Sequence, residues 1–373
     1  MRILAVTRKR SLSHNNPIEW SEPLRRTFFL SGLAGLLIVA VIVSLTNGAV
    51  VIPSGEVVAI LLHQIGLSAG LPNLEMDDQT SAIIMHIRLP RLLLAMLVGS
   101  ALAVAGTVTQ ALFKNSLADS GVIGVQAGAA LGAAMMIVLA HQFLAELPSV
   151  FEAYGVAAGG FLGGLVTTFV VFWLARRQNQ TALTTLLLGG IAINAMVGAA
   201  TGFLTYLADD NQLRSLTFWS MGSLGGATWE SVRATAPLVL VAIFILAFSA
   251  KALNALCLGE AQAMHLGVNV ERLKFMCIIL IALVVGASVA AAGVIGFIGL
   301  VVPHSLRLLI GPDHRWILPG SALLGGVFLT LADVAARTSV APAELPIGIL
   351  TSLVGGPFFL WLLMREKQRR ELW

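Results

Sequence analysis

The chain has 373 residues, of which 57% are hydrophobic and 11% charged, with a mean hydropathy of +0.88. A soluble domain carries about 25% charged residues, so a water-soluble fold could not hide this much apolar surface. The formal net charge of +4 calls for no nucleic-acid partner, because the cytoplasmic loops of membrane proteins hold an excess of Lys and Arg.

Only helix bundles and closed barrels satisfy their backbone in lipid, and long runs of Leu, Ala, Val and Gly without dyad alternation select helices. From the N-terminus, six Lys or Arg within the first 26 residues and no apolar core before Thr27 predict a basic cytoplasmic tail over 1–27 rather than a cleavable signal peptide. Ten spans follow, at 28–46, 92–112, 122–143, 154–175, 184–206, 233–250, 275–293, 297–311, 316–336 and 347–364. They make a transmembrane domain over 28–364, followed by a basic cytoplasmic tail over 365–373; the stretch 47–87 carries no signature.

Ten spans put both termini on one side. If that side is the cytoplasm, 18 of the 23 Lys and Arg lie there and only Arg88, Arg91, Arg214, Arg233 and Arg337 lie outside, which decides the orientation. Glycines recur every fourth residue at Gly124, Gly128 and Gly132, at Gly155, Gly159 and Gly163, and at Gly160 and Gly164, a spacing that lets helix backbones approach closely. "SGVIG" at 120–124 is echoed by "AGVIG" at 292–296, the first opening an outward span and the second an inward one, as an inverted repeat pairing spans 2–5 with 7–10 requires.

Little chemistry accompanies this framework. The chain has no phosphate-binding G-x-x-x-x-G-K-[ST], no H-E-x-x-H and no G-x-S-x-G, which speaks against a membrane enzyme. Cys257 and Cys277 show neither a pairing pattern nor metal spacing and read as two buried thiols. The ionisable residues nearest mid-membrane are Asp333 and His304, the latter beside Pro303 and read either as a hydrogen-bonded filler of a helix kink or as a transport residue. An ion-coupled carrier is expected to show an acidic group in mid-membrane, so energy for transport is expected to come from another subunit. Gly259 and Gly267 bracket a short piece within the inner loop 251–274, which reads equally as a helix on the cytoplasmic face or as a solvated connector.

Three stretches carry a resemblance: "RLPRLLLAMLVGSALAVAGTVTQALFKNSLADSGVIGVQAGAALG", "LGEAQAMHLGVNVERLK" and the run from "AAGVIGFIGLVVPHSLRLLIGPDHRW" through "LADVAARTSVAPAELPIGILTSLVGGPFFLWLL". Together they resemble the permease subunits of bacterial ABC importers for iron chelates, haem and vitamin B12 over most of Arg88–Leu363. The resemblance implies a homodimer of ten-helix permeases in the inner membrane, two ATPase subunits on the cytoplasmic face, a periplasmic binding protein above, and no stably bound cofactor. Residue by residue, Arg88, Arg91 and Arg337 match positions that meet acidic residues of the binding protein. Gly259, Glu260, Ala261, Met264, Leu266 and Gly267 match the helix that couples to the ATPase. Asn115 and Leu117 match a cytoplasmic gate, and Asn194, Met196 and Thr201 match the helix lining the pathway.

The family usually reads N-P-L-A-[DE]-P-G where this chain has "NSLADSG", so Ser116 and Ser120 stand in place of two prolines and the turn is expected to be less rigid. The outer stretch Leu216–Glu230, with Met135, Met136, Met196 and Met221, reads either as a soft aromatic surface for a large flat ligand or as interfacial tryptophans and packing methionines. In appearance the chain is closer to haem permeases than to cobalamin ones. The rival readings are a cobalamin or siderophore permease of the same family, an ion-coupled secondary carrier and a structural scaffold.

Overall fold

The computed structural model describes residues 22–48, 50–64, 77–143, 149–177 and 180–371. Most of the predicted N-terminal tail, residues 65–76 of the stretch 47–87, and the last two residues lie outside the described residues. In chain order the helices are α1 (Glu22–Thr46), α2 (Ser54–Gln64), α3 (Asp78–Ala82), α4 (Leu89–Leu112), α5 (Val125–Phe143), α6 (Ser149–Ala175), α7 (Leu183–Leu207) and α8 (Asp210–Ser220). They continue as α9 (Trp229–Phe248), α10 (Ala250–Leu258), α11 (Glu260–His265), α12 (Val270–Ala292), α13 (Ile298–Ile310), α14 (His314–Thr338) and α15 (Ile347–Glu371). A π turn (Ile83–Arg88) joins α3 to α4, and a 3₁₀ turn (Ser120–Ile123) precedes α5. The all-helical expectation has one small exception, a ladder in which β1 (Arg176–Arg177) pairs antiparallel with β2 (Gln180–Thr181).

Among the described residues, eight helical runs are long and apolar enough to cross a membrane, and α5 and α13 are shorter apolar helices; each predicted span falls on one of them. Three boundaries move. The first helix begins at Glu22, inside the predicted tail, and α15 runs on to Glu371, absorbing most of the predicted C-terminal one. The second span begins at Asp78, fourteen residues before the expected start, because α3, the π turn and α4 are continuous. Pro90 accounts for the π turn: proline cannot donate to the carbonyl four residues back and its ring crowds that carbonyl, and here Leu89 instead donates to Ile84, five back.

The core sits on α4. Nearly every residue from Leu94 to Leu112 is buried, as expected of a helix apolar all round, with α9, α12, α13 and α14 packed about it. Small residues set these distances: a Cβ on Gly99 would collide with the carbonyl of Gly325 in α14, and one on Gly106 with that of Gly299 in α13. The predicted glycine rows form a second seam, where Gly128 and Gly132 of α5 meet Gly163 and Gly159 of α6 backbone to backbone.

Two faces result. The C-terminal ends of α1 and α14 meet at the upper face, where Arg337 donates to Ser44, and their N-terminal ends meet at the lower face, where Arg26 lies 3.9 Å from Asp313. The two Gly-Val-Ile-Gly turns sit on opposite faces in matching roles. The carbonyl of Val122 backs onto Gly190 of α7 at the lower face, while those of Val294 and Met221 back onto Gly348 of α15 at the upper face.

Candidate functional site: two ionic clusters, a gate loop and an exposed helix

The structure brings Arg88, Arg91 and Arg337 together at the upper face but does not expose them. They are 5%, 7% and 8% exposed. The reason is positional: the arginines lie well inside the Asp78–Leu112 run, and a guanidinium drawn into the interior must have its donors met. The Arg88 side chain donates to the carbonyls of Leu45, Thr46 and Val50, just where α1 ends. From Arg91, Nε donates to both carboxylate oxygens of Asp333 at 2.9 and 3.1 Å and Nη1 to Glu344 at 2.8 Å. Arg337 donates from Nη2 to the carbonyl and hydroxyl of Ser44 at 2.6 and 2.9 Å, and its Nε is 3.5 Å from Asp333.

Asp333, the acidic residue nearest mid-membrane by sequence, is therefore held between two arginines. Sequence reasoning missed Glu344 and Ser44; the signal for Glu344 was present, as the lone acidic residue between α14 and α15. His304 lies with its ring edge-on to Phe358, the centroids 6.1 Å apart.

At the lower face the loop 251–274 folds into α10 and α11. Gly259 at φ 134° and Gly267 at φ 81° bracket α11, both in the region that favours glycine. This decides between helix and connector in favour of the helix. Its Ala263 faces inward and is fully buried, whereas Ala261, Met264 and Leu266 point outward together with Leu258. Asn254 anchors α10 by donating to Asp313 at 2.6 Å and accepting from the His314 backbone at 2.9 Å. Burial would raise the Asp313 carboxyl, but donors from Asn254 and Arg315 outweigh it and hold the group below the usual carboxylate range.

Beneath α11 lies a residue the sequence reading did not single out. Lys274 is 2% exposed, and its ammonium donates to Glu260 at 2.9 Å, to Glu271 at 3.0 Å and to the carbonyl of Thr181 at 3.1 Å. Glu271 in turn accepts from the Thr181 N–H at 2.8 Å. An open cavity of about 1050 Å³ adjoins this cluster, lined by Thr181, Glu260, Met264, Asn269 and Lys274 among others. The i,i+3 spacing of Glu271 and Lys274 was the legible signal.

The expected gate residues lie on the loop between α4 and the 3₁₀ turn. Asn115 is exposed and accepts from the Leu117 N–H at 2.9 Å, and Asp119 accepts from the Gly121 N–H at 2.8 Å. These two side-chain turns hold the segment where prolines are missing, with Ser120 buried between them and α5. Burial raises the Asp119 carboxyl despite backbone donors from Gly121 and Ser120. Asn194 of α7 donates to the Gly121 carbonyl at 3.1 Å, so it braces the loop that follows α4, and Thr201 donates to Val197 within its own helix. Of the three expected pathway residues only Met196 stands open, beside exposed Leu188, Ile191, Phe203 and Tyr206 on a helix with little internal cover.

The aromatic stretch divides. Trp219 packs on Gly160 and the core, and Trp229 donates to the Met85 carbonyl at 2.9 Å, which ties α9 to the π turn. Met136 packs on Gly155 and Gly159, whereas Met135, Met196 and Met221 remain exposed. Cys277 is buried as expected and Cys257 is exposed, which corrects that reading. Among the described residues no group of three His, Cys, Asp or Glu could hold a metal ion.

Comparison with known proteins places these features in context. Residues 36–365 match the model of the FecCD transport family. The chain is 49% identical to the hemin transport system permease protein HmuU of Yersinia pestis, over 80% of this chain and 88% of that one. It is 38% identical to the cobalamin import system permease protein BtuC of Halobacterium salinarum, over 94% of this chain and all of that one. A solved structure described as a metal-chelate type ABC transporter in an inward-facing conformation superposes with a TM-score of 0.76 at 32% identity, covering 91% of this chain and 99% of that one.

Proposed function

The chain belongs to the FecCD transport family, and we propose that it is the membrane-spanning permease subunit of an ATP-driven importer of haem. The observation that carries this reading is the 49% identity to a hemin permease along four-fifths of the chain. The ten apolar helices cross the inner membrane as an inverted repeat. Both termini lie in the cytoplasm, so the lower face is cytoplasmic and the upper face periplasmic. Two copies pair across the exposed apolar face of α7 and enclose the pathway, with the gate loop at Asn115 and Leu117 closing its cytoplasmic end. ATP is hydrolysed by two partner subunits, which receive α11 through Glu260, Ala261 and the apolar tips of Leu258, Met264 and Leu266. The permease itself holds no cofactor.

A periplasmic binding protein docks on the upper face. Because Arg88, Arg91 and Arg337 are buried and paired, we assign them to the floor beneath that surface. Their substitution then alters docking through the shape of the loops that they hold. Transport is a population shift between outward-open and inward-open dimers, biased by ATP on the partners.

Reconstitution of the chain with its ATPase and binding-protein partners in proteoliposomes tests the proposal. Hemin is expected to stimulate ATP-dependent uptake, and uptake is expected to survive a protonophore. Stimulation by cobalamin or a ferric siderophore in place of hemin would move the substrate within the family. Uptake that persists without the ATPase and collapses with the protonophore would replace the mechanism by ion coupling.

A further inference from the structure

Lys274 is a fully buried cation to which the proposed pathway gives no part. An ammonium has three donors, and here each has one acceptor on a different segment: Glu260 on α11, Glu271 on α12 and the Thr181 carbonyl on β2. Thr181 is held through both of its backbone polar groups, because its N–H goes to Glu271. One residue later Ala182 caps α7, and the Ala182 N–H returns to the Ala175 carbonyl at the end of α6. Displacement of Glu260 therefore pulls on a buried charge that cannot leave its other two acceptors without being stranded, which costs more than moving them along. Elsewhere α11 has little else to grip: Ala263 is its only buried residue, and the cavity opens directly beside the cluster.

We propose that Lys274 is the positioning residue that transmits movement of α11 to the start of α7, so that the segment facing the ATPase and the helix facing the pathway shift as one body. This rests on the assignment of α11 to the ATPase given above. A purely structural staple would stabilise the same elements but would not carry a nucleotide-dependent change from one to the other.

The test uses the full chain assembled with its ATPase subunits in lipid, with hydrogen exchange followed by mass spectrometry before and after ATP with vanadate. In the parent chain, exchange is expected to change both at 259–267 and at 181–190. In Lys274→Met the change at 259–267 stays while that at 181–190 falls roughly fivefold or more, the scale of a typical coupling energy. Lys274→Arg, which keeps the charge, is expected to restore at least part of it. Glu260→Gln releases only a half-exposed partner and leaves the ammonium paired, so it folds even if Lys274→Met does not, and it also weakens the response at 181–190. An undiminished response at 181–190 in Lys274→Met, or in Glu260→Gln where the first variant fails to assemble, overturns the proposal. Silence at 259–267 in the parent chain instead removes the ATPase assignment, and this inference with it.

Discussion

The upper and lower faces each bury cations against carboxylates, and the two clusters are built on opposite terms. Above, Arg91 and Arg337 face Asp333 and Arg91 also Glu344, while Arg88 rests on backbone carbonyls at the end of α1 and Arg337 also on Ser44. Below, one lysine faces two glutamates whose side chains are 39% and 35% exposed. Planar guanidinium forks fix direction as well as distance, so the upper cluster locks α1, α4 and α14 into one geometry. The ammonium of Lys274 is a point charge on a flexible stem, and its carboxylates touch water. The lower cluster can therefore hold its partners together while they move, and it joins segments that the proposed cycle needs to move.

The sharpest way to break this contrast is to remove the carboxylate at the centre of the upper cluster. Asp333→Asn leaves Arg91 and Arg337 buried with one partner fewer, and loss of one member of a buried ion pair costs about 3–5 kcal/mol. A large fall in thermal midpoint in detergent is expected. Lys274→Met should cost less, about 1.5–3 kcal/mol for the lost charged hydrogen bonds, because Glu260 and Glu271 can turn to solvent. Equal losses in the two variants would end the distinction between a lock and a movable joint. Next in size is Glu344→Gln, where the partner is 44% exposed and Asp333 still holds Arg91. A loss of no more than about 1 kcal/mol is expected, shrinking as salt is raised. A loss as large as that of Asp333→Asn would mean that the loop before α15, rather than α14, carries the cluster.

How much of this was legible in the sequence differs between the two faces for a physical reason. Long apolar runs locate helices because their length is set by the bilayer: the span at 184–206 lies within α7, and that at 275–293 overruns the end of α12 by one residue. Glycine spacing located the α5–α6 seam because close approach needs a missing Cβ. The three arginines were legible as a set through the family motifs, but their burial was not. It follows from the π turn that carries the second span back to Asp78, and a π turn has no periodicity of its own. Lys274 looked like one more basic residue of a cytoplasmic loop. Its role depends on Thr181, 93 residues away, brought beneath α11 by a two-residue ladder too short to leave a pattern.

The smallest expected effect concerns the anchor between α10 and α14 at the lower face. Asp313 caps α14, accepts from Asn254 of α10 and lies near Arg26 and Arg315, and its carboxyl is held below the usual range. A group whose folded pKa is depressed contributes stability above its unfolded pKa and loses it as pH falls through the folded value. The thermal midpoint should therefore decline below about pH 4, where carboxylates of the unfolded chain begin to bind protons. Asp313→Asn keeps a helix-capping oxygen but no charge, so part of that decline should disappear while the midpoint at neutral pH drops slightly. If the variant tracks the parent chain across the whole acid range, Asp313 is not where the lower face senses protons. Asp119 could not supply the decline in its place, because its carboxyl is raised by burial and its contribution to stability grows rather than falls as pH is lowered.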